Sequence, residues 1–185
     1  GWPAGFGVGG NPAPTTLKLD HEGAGKPWVT ITSRAAVPLT APLSTGYRIT
    51  KTITPVEQRE ADRLSRGDVL RVHVDIDAQA DMTWVVVNDP IPTGASLLGT
   101  GLGRDASIES DRERRDFRVW LAYEERSFEA FRAYYRYVPK GKFSVEYTVR
   151  LNNPGRFGLP ATRVEAMYAP EMFGELPNAQ VQVQP

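Results

Sequence analysis

The sequence predicts an all-β protein, an antiparallel β-sandwich. Three observations predict it. Several stretches alternate apolar and polar residues with period two, as a strand does when one face is buried. Such stretches recur roughly every 10–15 residues, about nine or ten in all. The segments between them carry the Gly and Pro that turns require.

In chain order, GWPAGFGVGGNPAP (1–14) comes first. Gly loses most on ordering and Pro cannot donate to a ladder, so this stretch reads as a flexible linker or an artificial remnant. Trp2 and Phe6 are the only side chains that could pin it down. TTLKLD (15–20) and WVTITS (28–33) are rich in β-formers and flank the turn HEGAGKP. Two prolines break RAAVPLTAPLSTG (34–46).

YRITKTI (47–53) reads as a strand with Tyr47, Ile49 and Ile53 on one face. VEQREADRLSRGD (56–68) is charged and suits a helical turn or a long loop. DVLRVHVDID (68–77) sets Leu70, Val72, Val74 and Ile76 against Arg71, His73, Asp75 and Asp77, a half-buried strand. MTWVVVNDPIP (82–92) is nearly all apolar up to Asn-Asp-Pro, which suits a central strand. GRDASIESDRERRD (103–116) reads as a solvated loop.

FRVWLAY (117–123) aligns Phe117, Val119 and Leu121. FRAYYRYV (131–138) places Phe131, Ala133, Tyr135 and Tyr137 opposite Arg132, Tyr134 and Arg136, and Pro139 ends it. Gly141 suits a hairpin turn with positive φ before KFSVEYTVRL (142–151), the clearest alternation of all. Val164, Ala166 and Tyr168 alternate with Arg163, Glu165 and Met167, so a strand ends at Met-Tyr. APEMFGELPN (169–178) then reads as an irregular loop, and VQVQ (181–184) as a closing strand.

The totals limit function. At 185 residues the chain can bury about 70% of the surface its unfolded form exposes. Lys+Arg and Asp+Glu stand at 22 each, so no net charge draws it to nucleic acid or an anionic membrane. There is no cysteine, hence no disulfide, no Cys-ligated zinc and no thiol nucleophile in this chain. No apolar run approaches the ~20 residues of a membrane helix. No signal peptide is visible, and a start at Gly1 reads as a piece of a longer chain whose targeting signal lies elsewhere.

No constellation of catalytic residues stands out. The two histidines are His21 and His73, and His73 lies on a strand's polar face with no nucleophile at a recognisable spacing. Asp75, Asp77 and Asp81 lack the glycine of a calcium loop. GTGLGR (99–104) lacks the Lys-Ser/Thr of a phosphate loop. Arg132, Arg136 and Lys140 alternate with tyrosines as a nucleic-acid platform does, but Glu124, Glu125 and Glu129 lie beside them to pair with. These residues point to no enzyme, cofactor or metal. A surface-binding module, adhesin-like or carbohydrate-binding, stays open through Trp84, Trp120 and Tyr134–Tyr137. A small hydrolase would need His73 beside a Ser and an Asp.

RVEAMYAPEMFGELPN (163–178) is different. Pro170, Gly174 and Pro177 keep it from being a helix, yet it carries Met167, Tyr168, Met172 and Phe173. Such a segment either folds back onto its own core or offers soft apolar surface to a neighbour. At this point a likeness enters. The run FRAYYRYVPKGKFSVEYTVRLNNPGRFGLPATRVEAMYAPEMFGELPN (131–178) resembles the C-terminal region of bacterial α2-macroglobulins. GYRITKTITPVE, GDVLRVHV and MTWVVVNDPIPTGA, within 46–95, resemble the first half of the same terminal domain.

The resemblance implies a macroglobulin or immunoglobulin-like sandwich over 46–185, with 15–45 the tail of a preceding region that can add a strand. It implies a periplasmic protease trap whose thioester sits on a separate domain, with inner-membrane anchoring left open. The partners it implies are other domains of the parent, the thioester domain above all, and indirectly target proteases. In that family a Met-Tyr pair shields the thioester from water, and it maps here onto Met167 and Tyr168, with Glu171, Met172 and Phe173 as a supporting contact loop. Where a family member lacks the thioester Cys, the pair would be an interdomain contact only.

Overall fold

The computed structural model describes residues 18, 20–26, 28–30, 32, 39–99 and 119–185. The chain divides into two compact units, Gly1–Ala36 and Val37–Pro185. In the first, the described residues form no strand, and Trp28 and Val29 are exposed. The strands expected at 15–20 and 28–33 are therefore not formed at Lys18, Asp20, Trp28–Thr30 or Thr32. Residues with strand propensity still need a pairing neighbour before their backbone groups form a ladder.

The second unit contains thirteen strands among the described residues. They are β1 (Leu43–Ser44), β2 (Tyr47–Glu57), β3 (Leu64–Ser65), β4 (Val69–Ala78), β5 (Met82–Pro90), β6 (Ser96–Leu98) and β7 (Trp120–Arg126). Then follow β8 (Ala130–Val138), β9 (Gly141–Arg150), β10 (Gly155–Phe157), β11 (Thr162–Ala166), β12 (Ala169–Leu176) and β13 (Val181–Gln184). A six-stranded sheet runs β1-β12-β11-β5-β8-β7, and a four-stranded sheet runs β2-β4-β9-β6. A small third sheet, β10-β13-β3, contains the one parallel pair among the described strands, β13 with β3.

One core joins the two large sheets. Leu70, Val72, Val74 and Ile76 of β4 and Phe143, Val145, Tyr147 and Val149 of β9 meet Val85, Val87, Phe131, Ala133, Tyr135 and Val164. Phe131 stacks on Tyr147 at 4.5 Å between ring centroids, and Tyr135 meets Phe143 edge-on at 5.4 Å. Aromatic pairs in these geometries add about 0.5–1.5 kcal/mol beyond the area they bury. Alternation corresponds to burial along β4, from Phe131 to Tyr135 on β8 and from Val145 to Val149 on β9, but not at the end of β8, where Val138 is buried and Tyr137, expected on the inward face, is only half-buried. β5 is central, between β11 and β8.

Four expectations need correction. Residues 56–68 hold no helical turn: they extend β2, make a Glu60–Arg63 bridge and form β3. The strand expected at 117–123 begins at Trp120 and runs to Arg126, with register shifts around Leu121 that break its alternation. Phe117 and the loop 103–116 lie outside the described residues. Ile53 is exposed, and the inward position beside Ile49 belongs to Lys51. Most important, 169–178 is no irregular loop: Ala169–Leu176 is a strand, paired with both β11 and β1.

The sequence explains that strand once its neighbours are seen. A Cβ on Gly174 would sit 2.2 Å from the Tyr47 carbonyl oxygen, so only glycine lets β12 approach β2 so closely. Pro170 falls in a gap in the ladder. β11 pairs with Ala169 and then with Phe173, leaving residues 170–172 bulged, and β1 pairs only with Gly174 and Glu175. A missing N–H costs nothing there.

Candidate interdomain contact surface

β11 and β12 form a hairpin, and its two-residue turn is Met167–Tyr168. Both side chains point away from the core: Met167 is 47% and Tyr168 78% exposed, while Ala166, one residue earlier, is buried. The Met167 N–H donates to the Trp84 carbonyl at 2.8 Å, which fixes the turn against β5. The same end of the six-stranded sheet holds the start of β5, the end of β8 and the start of β7.

The hairpin below the turn is braced on its outer face. Arg163 bonds Glu165 on its own strand at 2.7 Å and Glu175 across on β12. Its guanidinium lies 4.6 Å from the centroid of the Phe173 ring. Burial lowers the Arg163 pKa, but the bonds to the two glutamates outweigh that and raise it, so Arg163 stays a cation. On the next strands Arg132 continues the row, donating to Asn88 at 2.9 Å and Glu125 at 2.6 Å. From the other side, the Thr45 hydroxyl donates to the Glu171 carbonyl at 2.7 Å, and the Thr45 N–H donates to the Phe173 carbonyl at 2.9 Å.

The expected contact residues therefore separate into two sets. Met167 and Tyr168 stand clear at the tip. Glu171 is exposed, but Met172 and Phe173 are half-buried on their own body. Met172 lies against Gly46, where a Cβ would come within 2.8 Å of its methyl carbon. Phe173 lies under Arg163. These two support the hairpin rather than extend its tip.

The other candidates have local partners. His73 sits 3.2 Å from both Glu146 and Asp75. The Tyr134 hydroxyl bonds Glu125 and the Tyr137 hydroxyl bonds Asp81, while Tyr135 is buried in the core. Burial, then the Glu125 bond, raises the Tyr134 pKa, and the Asp81 bond raises that of Tyr137. Arg132 is taken up by Glu125, Glu129 and Asn88. Among the described residues no three His, Cys, Asp or Glu gather as metal ligands would, and no helix is long and apolar enough to cross a membrane.

Sequence reasoning missed a buried polar cluster behind the hairpin. Asp89, fully buried, accepts from Lys51 at 2.7 Å, Tyr147 at 2.6 Å and Thr162 at 2.5 Å. Asn178 joins it, accepting from Lys51 at 3.2 Å and donating to the Pro160 carbonyl at 2.7 Å. Burial, the nearby Asp89 charge and the bond to it push the Tyr147 pKa well up. The cluster ties β2 and β9 to β5, β11 and the segment after β12. A signal was available: Lys51 is in phase with Tyr47 and Ile49, and Asp89 with Val85 and Val87, opposite charges at apolar positions.

Residues 46–171 match the family model described as the bacterial alpha-2-macroglobulin MG10 domain. An alpha-2-macroglobulin homolog from Nostoc sp. is 26% identical over 142 residues, which is 70% of this chain and 7% of that protein. Among solved structures, native Escherichia coli alpha-2-macroglobulin from domain MG7 to the C-terminus superposes with a TM-score of 0.64. It is 22% identical, over 80% of this chain and 25% of that one. Salmonella alpha-2-macroglobulin reacted with methylamine gives 0.63 at 24% identity, over 80% of this chain and 10% of that one. At these identities the two structures speak for the fold. The chain spans a small fraction of each relative.

Proposed function

The chain belongs to the bacterial alpha-2-macroglobulin MG10 domain family, and from that premise we propose that it is a non-catalytic domain of a periplasmic protease trap. On this reading it packs against the parent's thioester-bearing domain, and Met167 and Tyr168 keep water from the thioester before a protease triggers the trap. The observation that carries the reading is the tip itself. A two-residue turn on a braced hairpin holds one thioether and one phenol ring out of its own core.

The physical chemistry suits a releasable cover. A thioester in water hydrolyses, so its protection requires a dry contact. Full burial of side chains this size is worth roughly 1.5–3 kcal/mol each. Two such contacts exclude water, yet a change in domain arrangement can undo them. The brace matters because a rigid tip loses little entropy on docking. The chain has no cysteine, so the reactive bond belongs to another module of the parent.

The alternative of a carbohydrate-binding face keeps Trp84 and Trp120, both exposed, but loses all three of its tyrosines, since Tyr134, Tyr135 and Tyr137 are bonded or buried in the domain itself. A direct test is the appearance of free thiol in the uncleaved parent carrying Tyr168→Ala. The expected result is thiol release several-fold faster than in the unaltered parent, with digestion still triggering the remainder. Release at the unaltered rate removes the shielding role.

A further inference from the structure

Trp84 presents two facts that its own domain does not account for. Its φ is +53°, a left-handed conformation that a bulky residue adopts only at a cost and that glycine adopts freely. Its side chain nevertheless stays 41% exposed. Its one specific tie to the tip is through the backbone, where its carbonyl accepts the Met167 N–H at 2.8 Å. Any residue could supply that carbonyl. Neither backbone geometry nor core packing therefore calls for an indole at this position, and strain held at an exposed position is a mark of functional surface.

The location says which surface. Ala166 pairs with Val85, so Trp84 stands opposite Met167, beside the Met167–Tyr168 turn. Trp120, also exposed, lies at the same end of the sheet at the start of β7. We propose that Trp84 is a third anchor of the contact made by Met167 and Tyr168, seated on the same thioester-bearing module of the parent chain. The inference rests on the shielding reading. The occupant is a module of the same parent because the patch is continuous with the tip, and because this chain spans only 7% of its Nostoc relative, leaving most of a comparable parent outside it. Indole suits such a contact. It brings a large rigid area with few rotamers to lose, plus one N–H for a polar atom at the rim.

Oxidative footprinting of the full-length parent, before and after protease cleavage, tests this without any substitution. Trp84, Met167 and Tyr168 are all readily oxidised and can be followed separately by mass spectrometry. All three are expected to be protected in the uncleaved parent and to gain reactivity together, several-fold, on cleavage. If Met167 and Tyr168 respond while Trp84 does not, the third anchor is disproved and the shield stands. If none of the three responds, the shield fails and this inference goes with it. Trp84→Gly in the same parent supplies an independent arm. Glycine removes the strain but also the covered part of the indole, so the readout is oxidation and not stability: Tyr168 in the uncleaved protein should become several-fold more reactive. Unchanged Tyr168 protection in Trp84→Gly overturns the proposal.

Discussion

Tyr168 and Asp89 stand at opposite ends of what a residue can do for its domain. Tyr168 projects from a turn and makes little use of its own fold. Asp89 is fully buried and accepts three hydrogen bonds, one from Lys51, whose side chain is only 7% exposed. Removing an exposed side chain away from caps and cores changes stability by ~0.5 kcal/mol or less. Removing one partner of a buried ion pair leaves the other unpaired, at about 3–5 kcal/mol. Tyr168→Ala should therefore leave the chain's melting temperature within about 1–2 °C, while Asp89→Ala should lower it on the order of 10 °C. Thermal scans of the two variants check the contrast, and a large drop for Tyr168→Ala would make it a core residue. The place of Met167 and Tyr168 at a strand's end is legible in the sequence, because an alternating pattern stops on them just before a proline; a role for them is not, and comes from the family resemblance. The Asp89 cluster is not, because its members lie up to 127 positions apart in the chain and each looks ordinary alone.

At the scale of the element, the β11–β12 hairpin shows where pattern reading stops. β4 and β9 alternate cleanly, and both are legible. β12 has Pro170 and Gly174 and reads as irregular from sequence, yet it is a strand because of what lies beside it. Gly174 is there for close approach to Tyr47, and Pro170 sits in a bulge. Neither fact can be seen without the neighbouring strands. Gly174→Ala should destabilise the chain by about 1–3 kcal/mol, since the added carbon overlaps the Tyr47 carbonyl and strand and corner must part. A urea titration checks it, and an unchanged midpoint would mean that the close approach does not hold β12 in place.

At the scale of the molecule, the fold class is legible from period-two patterning, while the division of the described residues into sheets of six, four and three strands is not. Pairing order depends on contacts between distant segments, and alternation reports only which face is wet. The buried tyrosines of this sandwich set its alkaline limit. Burial pushes the Tyr47 pKa up to about 12, and raises Tyr135 and Tyr147 as well. A folded-state pKa above the unfolded value of about 10 gives stability that is complete below that value and lost as pH rises through the folded one. The urea midpoint should thus fall between about pH 10 and pH 12 as these groups are forced to ionise, and a midpoint that rises over that range would contradict the assignment.

The function proposed for this domain depends on a tip whose job lies outside it. The most direct measurement is the structure of the uncleaved parent. Tyr168, 78% exposed here, should be buried there against the thioester-bearing module with Met167 beside it. A parent in which Tyr168 faces open solvent while the thioester is intact would contradict that function.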